Sequence, residues 1–461
     1  MTTSRNRPHS QSRRRLLGWT GAAGLLAALG RTPAHAQGAG DYKAMVCVYL
    51  QGGNDGENTL VRYDAQGYQA YATIRTPASG INVAQSQLLP VQPKRGGPPF
   101  GFHPACAALE GLFGRGELAV VANVGVLAQP SNKAGLEAQG APRPANLFSH
   151  NDQELAQQSA DVSGFTRVGW GGRVADLLDR YNAATLFPPM VSTGRMSTFC
   201  NGERSIPLTV PTGTFWGLNG SGDFNKNQYD ALRNAAMQEL LSHPRDNIFE
   251  DVAQLYADQG LSSSAVVGPL IGNGASVAAA AFAGINSQIA SQLKTIAMLI
   301  EGRGETRLSR QVFFAQQREY DTHGGQLVTH QRLLGDLCPA VKAFTDAMKA
   351  LGLADRVTLF TLSDFGRALK PAGDEGTDHG WGNYAFVAGG AVKGGDFYGT
   401  VPIFALNGPD DLGKEGRWIP TTSLEQYGAT LCRWFGIAEG DLPYVFPNIG
   451  AFANTNLGFM A

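Results

Sequence analysis

The chain contains several continuous apolar runs of strand length. They cover residues 44–50, 118–124, 357–362 and 384–387. A strand that is apolar on both faces must be covered on both faces, and such strands are typical of mostly parallel sheets. Helical patterns alternate with these runs, as they do in folds built from crossover connections. The sequence therefore predicts an α/β fold, a three-layer α/β/α sandwich with a mostly parallel central sheet.

The predicted helices cover residues 104–115, 150–159, 276–301, 328–351 and 422–435. Pro339 should kink the fourth of these or begin a new turn, because proline lacks the amide hydrogen that a helix interior uses. Residues 129–145 are interpreted as a surface excursion, and residues 200–225 as loops and short strands, since neither segment shows a clear period. No repeat or linker divides residues 37–461, so we expect a single domain with loop insertions.

The 461 residues are 43% hydrophobic and 16% charged, with a formal net charge of -1. This composition suits a large core and provides no basic field for nucleic acid. The five cysteines lack CxxC spacing, and an odd number cannot all pair within one chain.

Residues 1–36 have the features of a twin-arginine signal peptide. Arg13 and Arg14 lie in a charged segment, an apolar stretch follows, and Ala34 and Ala36 fit a cleavage site. The apolar stretch falls short of the roughly 20 residues that span a bilayer, so we expect no stable membrane anchor. The predicted partner during export is the twin-arginine translocase, and the predicted location is periplasmic or secreted.

Two of the predicted strands lead directly to a carboxylate. The segment VCVYLQGGNDGENT contains Asp55, and VTLFTLSDFGR contains Asp364. Ligand sites of open α/β sheets lie beyond the carboxyl ends of the strands. Three further polar segments, FSHNDQ, YDTHGG and GTDHGWG, could join the two aspartates at one site. Carboxylate oxygens and imidazole nitrogens on such loops are what a divalent metal site needs, so the aspartates and histidines of these loops are candidate ligands.

Each candidate ligand also has a structural interpretation. Asp55 and Asp364 would serve equally well in turns where the chain leaves the sheet. His323 and His379 could form local hydrogen bonds in turns. His330, on a predicted helix, fits a packing or surface role.

Ser149, in the segment FSHNDQ, precedes a predicted helix. A serine in this position commonly caps the helix, but it can also present its hydroxyl as a nucleophile beside unpaired amides. Arg367, just past a strand end, either holds substrate oxyanions or forms an ordinary ion pair. The GGNDG loop has neither the G-x-G-x-x-G pattern nor a P-loop lysine, and the chain has no G-x-S-x-G elbow.

Six segments in this order resemble an exported bacterial family known as domain of unknown function 1501: LQGGNDGENT, FHPACAALEGLFGRGELAVVANVG, FSHNDQ, DTHGGQ, TLFTLSDFGR and GTDHGWGNYAFVAGGAVKGGDFYG. The family resembles a distant branch of the alkaline phosphatase and sulfatase superfamily. The resemblance covers nearly all of the chain after the signal peptide and implies an alkaline phosphatase-like fold.

The same resemblance implies a metal site in two halves. Asp55, Ser149 and Asp364 would form one half, and Asp321, His323 and His379 the other. The superfamily often has Asp-His where this chain has Asp364-Phe365, and a phenylalanine cannot bind a metal. Either one metal is bound tightly and one weakly, or another residue, such as Asn54, His150 or Asp378, fills the gap. The tight spacing of Asp321 and His323 leaves His330 open as a ligand, and the sulfatase motif that matures to formylglycine is absent.

These observations predict an exported, metal-dependent hydrolase of phosphate or sulfate esters, acting on a small anionic substrate. One or two divalent ions (zinc, manganese, magnesium or calcium) would clamp the attacking and leaving oxygens. Ser149 would attack, Asp55 would bridge the ions and Arg367 would hold the oxyanion. The alternative is a non-catalytic binding or assembly protein on the same scaffold, for which Phe365 is the chief argument.

Overall fold

The computed structural model describes residues 41–138, 140–182, 185, 187–212, 228–243 and 247–461. The predicted signal peptide and residues 213–225 of the predicted loop region lie outside these ranges.

The described strands are β1 (Lys43–Leu50), β2 (Leu60–Arg62), β3 (Leu89–Val91), β4 (Phe100–Phe102), β5 (Leu118–Gly125), β6 (Met190–Ser192), β7 (Leu208–Thr209), β8 (Arg310–Gln317), β9 (Val357–Ser363), β10 (Arg367–Ala372), β11 (Gly376–His379), β12 (Asn383–Ala388), β13 (Asp396–Tyr398) and β14 (Thr422–Ser423). The described α-helices are α1 (Gly56–Thr59), α2 (Ala65–Ile74), α3 (Ala107–Arg115), α4 (Lys133–Glu137), α5 (His150–Ser159), α6 (Trp170–Asp176), α7 (Gln228–Ser242), α8 (Ile248–Ile271), α9 (Val277–Ala280), α10 (Gln288–Glu301), α11 (Arg303–Thr306), α12 (Gln326–Ala350), α13 (Leu424–Phe435) and α14 (Leu442–Val445).

Within the described ranges, a nine-stranded sheet has the order β13-β5-β12-β9-β1-β8-β6-β7, with β14 beside β5. Strand β12 runs antiparallel to β5 and β9, and the other pairs are parallel. Alternate residues of β1 enter two separate cores, Val46 and Val48 on one face and Met45 and Cys47 on the other. Residues of α3, α10 and α12 complete the first core, and residues of α6 and α13 complete the second. The predicted three-layer α/β/α sandwich with a mostly parallel sheet is confirmed.

Three neighbouring parallel strands end at the same level of this sheet. Leu50, the last residue of β1, pairs in register with Gln317 at the end of β8 and with Ser363 at the end of β9. The loops that follow therefore leave together from one edge. Gly52 has a φ of 112°, and a Cβ added there would lie 2.4 Å from the backbone nitrogen of Asp321. The glycines of GGNDG thus allow the β1 and β8 loops to touch.

Most of the predicted elements are present with small shifts at their ends, and helix α5 has the predicted bounds. Strand β8 was not predicted, because polar glutamines flank its short apolar centre VFFA. The single helix predicted over 276–301 is wrong: α9 ends at Ala280, Gly284 adopts a φ of 79°, and α10 begins at Gln288. Helix α12 continues through Pro339, where we expected a kink or a new turn, and its apolar face is buried on both sides of the proline. No helix in the described ranges has the length and apolarity required to cross a membrane.

Candidate metal centre

Four side chains from three parts of the chain meet at the edge where β1, β8 and β9 end. His150 is the first residue of α5, Asp321 and His323 lie in the loop between β8 and α12, and His379 ends β11. We call these four residues the histidine cluster. Their side chains are 18–50% exposed, so solvent and small molecules can reach them.

The Nε2 atoms of the three imidazoles converge on one oxygen of Asp321. Oδ1 of Asp321 lies 3.1 Å from His150 Nε2, 3.0 Å from His323 Nε2 and 3.3 Å from His379 Nε2. The Nε2 atom of His379 is 3.0 Å from that of His150 and 2.9 Å from that of His323. Nitrogen and oxygen atoms that can each bind a cation therefore share one small volume.

The other ring nitrogens show which atoms carry protons. Nδ1 of His379 lies 2.6 Å from the carbonyl oxygen of Phe148, which can only accept, so this nitrogen donates. Nδ1 of His150 lies 2.8 Å from Oδ2 of Asp364 and donates to that carboxylate. In their neutral forms both rings then direct Nε2 lone pairs toward each other and toward Asp321. Metal-binding histidines are commonly held in this way, with the second ring nitrogen donating to a carboxylate or a backbone carbonyl.

Charge at the cluster is balanced in part by Arg367. Its Nη1 lies 2.7 Å from Oδ1 of Asp321, and its side chain is fully buried. Partial burial raises the pKa of Asp321, but the hydrogen bond and charge of Arg367 outweigh burial and leave that pKa below its usual value. Asp321 is therefore anionic near neutral pH, as a metal ligand must be.

The two partly buried histidines differ in basicity. Burial lowers the pKa of His150, but the hydrogen bond and charge of Asp364 and the charge of Asp321 reverse the effect and raise it overall. Burial lowers the pKa of His379, and the nearby charge of His150 lowers it further, against an opposing effect of the Phe148 carbonyl. A neutral His379 with its lone pair directed into the cluster is thus the favoured form.

Asp55 lies outside the histidine cluster. Its Oδ2 is 2.7 Å from Nη1 of Arg75 and also accepts from Gln326, while its Oδ1 caps α1 by accepting from the amide of Asn58 at 3.1 Å. The side chains of Asp55 and Arg75 are fully buried. Asp55 therefore has its full set of partners within the protein, which agrees with the structural interpretation of this residue.

A chain of buried hydrogen bonds nevertheless joins Asp55 to the cluster. Gln326 donates to Asp55 and accepts from Thr377 Oγ1 at 2.5 Å, and Thr377 Oγ1 accepts from Nε of Arg367 at 3.1 Å. Arg367 in turn contacts Asp321. We call Asp55, Arg75, Asn58 and Gln326 the buried network, and Arg367 is its link to the histidine cluster.

Asp364 contacts the histidine cluster through His150. Its Oδ2 accepts from His150 and, at 3.1 Å, from the amide of Gly52. Its Oδ1 is buried without a hydrogen-bond partner among the described residues. Phe365 is buried against both rings, with centroids 4.7 Å from His150 and 4.9 Å from His379. His150 thus lies beside Asp364, and it was one of the residues that the sequence left open for this position.

Ser149 is the N-cap residue of α5 but its side chain forms no capping hydrogen bond. In the sequence it lies between Phe148, whose carbonyl oxygen accepts a hydrogen bond from His379, and His150 of the histidine cluster.

Arg367, the residue expected to hold substrate oxyanions, is instead buried, with donors directed to Asp321, Thr377 and the carbonyl of Gly52. His330 is buried in α12 with Nε2 3.0 Å from Asn54 Oδ1, apart from the cluster.

Sequence reasoning did not identify Arg417. Its guanidinium lies 4.4 Å from the centre of the Phe148 ring, its Nε donates to the His379 carbonyl at 2.9 Å, and its Nη2 donates to Asp378 at 2.6 Å. Its side chain is 22% exposed. The residue lies in the segment GKEGRW, which has no feature that marks a functional arginine. Only the folded chain shows that it joins the Phe148 and His379 segments.

The fold and this edge define a class: an α/β/α protein with a histidine-carboxylate cluster beyond the carboxyl ends of its central strands. A family model described as "Protein of unknown function (DUF1501)" matches residues 42–413. The chain belongs to this family. No curated protein sequence matches it significantly.

Among solved structures, the chain has a distant similarity to several larger proteins. The lipoteichoic acid synthase LtaP from Listeria monocytogenes is 11% identical, with 90% of this chain and 77% of that chain covered and a TM-score of 0.36. The PsFucS1 sulfatase from Pseudoalteromonas sp. is 9% identical, with coverage of 94% and 73% and a TM-score of 0.35. Ps i-CgsB in complex with k-i-k-neocarrahexaose is 10% identical, with coverage of 88% and 77% and a TM-score of 0.32. At these TM-scores the likeness carries no functional argument.

Proposed function

We propose that the histidine cluster binds one divalent metal ion and that the protein is a metal-dependent hydrolase of phosphate or sulfate esters. One observation carries the metal site: the Nε2 atoms of His150 and His379 lie 3.0 Å apart, while both Nδ1 atoms donate elsewhere. When both rings are neutral, two lone pairs at this distance beside a carboxylate repel each other, and either a proton on His150, whose pKa is raised, or a metal ion removes that repulsion. A metal ion satisfies all these atoms together, whereas a proton satisfies only one pair.

The geometry favours a single ion. The triads with suitable spacing, His150-Asp321-His379 and His323-Asp378-His379, share His379. Only its Nε2 is available, because Nδ1 donates to Phe148, and one nitrogen lone pair cannot serve two metals. Asp378 already accepts from Arg417 and from the His379 amide. Arg75 and Arg367 supply positive charge at Asp55 and Asp321, where a second metal would otherwise compensate the carboxylates.

The donor set favours zinc or another first-row transition metal over magnesium or calcium. Imidazole nitrogens suit zinc, copper, iron and nickel, whereas magnesium and calcium prefer oxygen ligands. His150 and His379 offer nitrogen and Asp321 offers oxygen, with His323 at the exposed edge as a further nitrogen donor.

Ser149 is the proposed nucleophile. Its hydroxyl forms no capping hydrogen bond. Its two neighbours in the sequence both contact the histidine cluster, Phe148 through its carbonyl oxygen and His150 as a member. A bound divalent ion supplies Lewis acidity, which polarises an ester oxygen and lowers the pKa of a nearby hydroxyl group. Ser149 Oγ would bond to phosphorus or sulfur as the bond to the ester oxygen breaks, and the hydroxyl proton would pass to the departing alcohol. Water would then cleave the seryl ester, which releases the product acid and restores the Ser149 hydroxyl. Arg417, partly exposed beside the cluster, is better placed than Arg367 to attract an anionic substrate.

Metal analysis tests the site first. Protein purified without chelator and loaded with zinc, manganese, magnesium or calcium in turn should retain about one equivalent of its preferred ion. His150→Ala and His379→Ala should each weaken binding by more than the roughly 10–100-fold that follows loss of an outer-sphere partner. His243→Ala is the matched control, since this exposed histidine contacts Glu239 and lies outside the cluster. Failure to retain any of the four ions would overturn the metal site and the hydrolase together.

Turnover of aryl phosphates and aryl sulfates tests the reaction. The metal-loaded protein should hydrolyse at least one ester class, and Ser149→Ala should abolish turnover while keeping the metal. Turnover that survives in Ser149→Ala would remove the nucleophile from the proposal. A protein that retains metal but hydrolyses no ester would support the alternative, a metal-binding protein without catalysis, which the apolar ring of Phe365 against both histidines favours.

We further propose export through the twin-arginine route, on the basis of Arg13 and Arg14. Replacing both with lysine should keep the full chain in the cytoplasm, as shown by cell fractionation. Normal accumulation of that variant outside the cytoplasm by the same route would contradict this proposal.

A further inference from the structure

Two of the five cysteines are in contact. Cys106 ends the 3-10 turn Pro104–Cys106, and Cys338 lies in the middle of α12. Their Sγ atoms are 3.0 Å apart, and both residues are fully buried. The turn and the helix pack together in the core beneath one face of the sheet, where Leu109 and Leu337 also lie. The two thiols are therefore held together by surrounding apolar side chains.

The remaining cysteines have no such neighbour. Cys47, Cys200 and Cys432 are also buried, but within the described ranges none has a thiol at hydrogen-bonding distance. An odd number of cysteines thus separates into one pair and three single thiols. The three single thiols serve as internal controls for any chemistry at the pair.

We propose that Cys106 and Cys338 form a disulfide when the chain folds in the presence of a disulfide oxidant. Each thiol gives up one proton and one electron, the Sγ–Sγ bond forms, and the disulfide of a thiol oxidoreductase is reduced to two thiols. Attack proceeds through a mixed disulfide, which requires access to one sulfur. Burial raises the pKa of Cys338 well above its ordinary value, so the reactive thiolate is scarce once the chain has folded. The bond therefore forms during folding and is protected afterwards.

Cys106 and Cys338 lie in the same hydrophobic core as Tyr320. Tyr320 immediately precedes Asp321 of the cluster, and its hydroxyl donates to Gln317 at 2.9 Å. A bond between the turn and α12 would restrict the movement of the core residues that pack against Tyr320, the residue before Asp321. It would also close a loop between positions separated by 232 residues, which restricts the unfolded chain.

The test counts thiols in the full chain. The purified chain is unfolded and fully reduced. One sample is then refolded with a mixture of oxidised and reduced glutathione and a second with reduced glutathione alone, and both are denatured in an alkylating reagent without further reductant. We expect alkylation of three of the five cysteines in the first sample, since two are bonded, and of all five in the second. Peptide mapping should recover one linked pair, Cys106 with Cys338. Cys47→Ala should retain this linked pair, whereas Cys106→Ala should lose it and leave all four remaining thiols reactive.

Stability provides a second measurement that does not depend on activity. Reduction should lower the urea midpoint of the protein refolded with oxidised glutathione but leave that of Cys106→Ala/Cys338→Ala unchanged. Five reactive thiols in the wild type refolded with oxidised glutathione, or a linked pair that involves Cys47, Cys200 or Cys432, would overturn the proposal. So would an unchanged urea midpoint after complete reduction of a mapped Cys106–Cys338 bond, because the bond would then contribute nothing to the free energy of unfolding.

Discussion

The histidine cluster and the buried network lie at the same edge of the sheet and are built around similar aspartates. Asp55 follows β1 and Asp321 follows β8, two strands that pair in register. The side chain of Asp55 is fully buried and bound by Arg75, Gln326 and the Asn58 amide, whereas that of Asp321 is 44% exposed among three imidazoles. The position of a carboxylate in this fold therefore does not decide its role. The neighbouring groups distinguish the two: Asp55 accepts from the donors of the buried network, whereas Oδ1 of Asp321 lies among the imidazole nitrogens of the histidine cluster and contacts Arg367.

The largest effect is expected in the buried network. Arg75→Met leaves Asp55 as a buried charge without its ion-pair partner, and breaking such a pair costs about 3–5 kcal/mol of stability. Urea unfolding would measure this loss. Arg62→Met is the matched control, because the Arg62–Asp64 pair is 27% exposed on each side and such surface pairs contribute about 0–1 kcal/mol. A similar small loss for both variants would mean that the buried Arg75–Asp55 pair contributes no more to stability than a surface pair.

The second prediction concerns pH. Burial lowers the pKa of His330, beside Asn54 and the network, to about 3 from an ordinary value of 6.5. The unfolded chain binds a proton at His330 below about pH 6.5, while the folded chain resists protonation until about pH 3, so stability falls as pH falls through this window. The contribution is about 1.4 kcal/mol for each pH unit.

Unfolding of the wild type and of His330→Gln between pH 7 and about pH 4.5 would measure the contribution of His330. The wild type should lose more stability, by roughly 2–3 kcal/mol over that range. His243→Gln, at an exposed site, should follow the wild-type curve. Parallel curves for the wild type and His330→Gln would show that His330 is not held neutral.

The third prediction weakens the cluster without removing a ligand. Asp364→Asn removes the charge that orients His150, and loss of an outer-sphere carboxylate lowers metal affinity about 10–100-fold. This corresponds to about 1.4–2.7 kcal/mol in titrations with zinc. Asp441→Asn, which removes the charge paired with Arg180, should leave the affinity unchanged. Unaltered affinity in Asp364→Asn would mean that His150 does not depend on Asp364 for its orientation.

The smallest effect is expected for the stability of Ser149→Ala. Its hydroxyl makes no capping bond, so the loss should be below the usual cost of about 1 kcal/mol for a removed N-cap. Ser423, by contrast, forms a complete capping box with Gln426 at the start of α13. Ser423→Ala should therefore cost about 1 kcal/mol or more in thermal or urea unfolding. Equal losses would indicate that Ser149 caps α5 after all, which would weaken its assignment as a nucleophile.

The sequence by itself determined the layers of this protein and the level at which its site lies. Continuous apolar runs predicted buried parallel strands, because a strand that is buried on both faces requires an apolar side chain at nearly every position. Helix α5 and strands β1, β5, β9 and β12 followed from such local patterns. Strand β8 was not predicted, because glutamines flank its short apolar centre. The strand lies between β1 and β6, and this position is visible only in the folded sheet.

Tertiary structure alone decided which polar residues share a space. Asp55 and Asp321 have the same kind of local sequence, yet Arg75 and Gln326 reach only Asp55. His150 joined the cluster because α5 begins beside Asp364, and Arg417 joined the Phe148 and His379 segments from a distant loop. The physical reason is that a hydrogen bond or a metal site depends on distances of about 3 Å between atoms far apart in sequence, which local patterns do not encode.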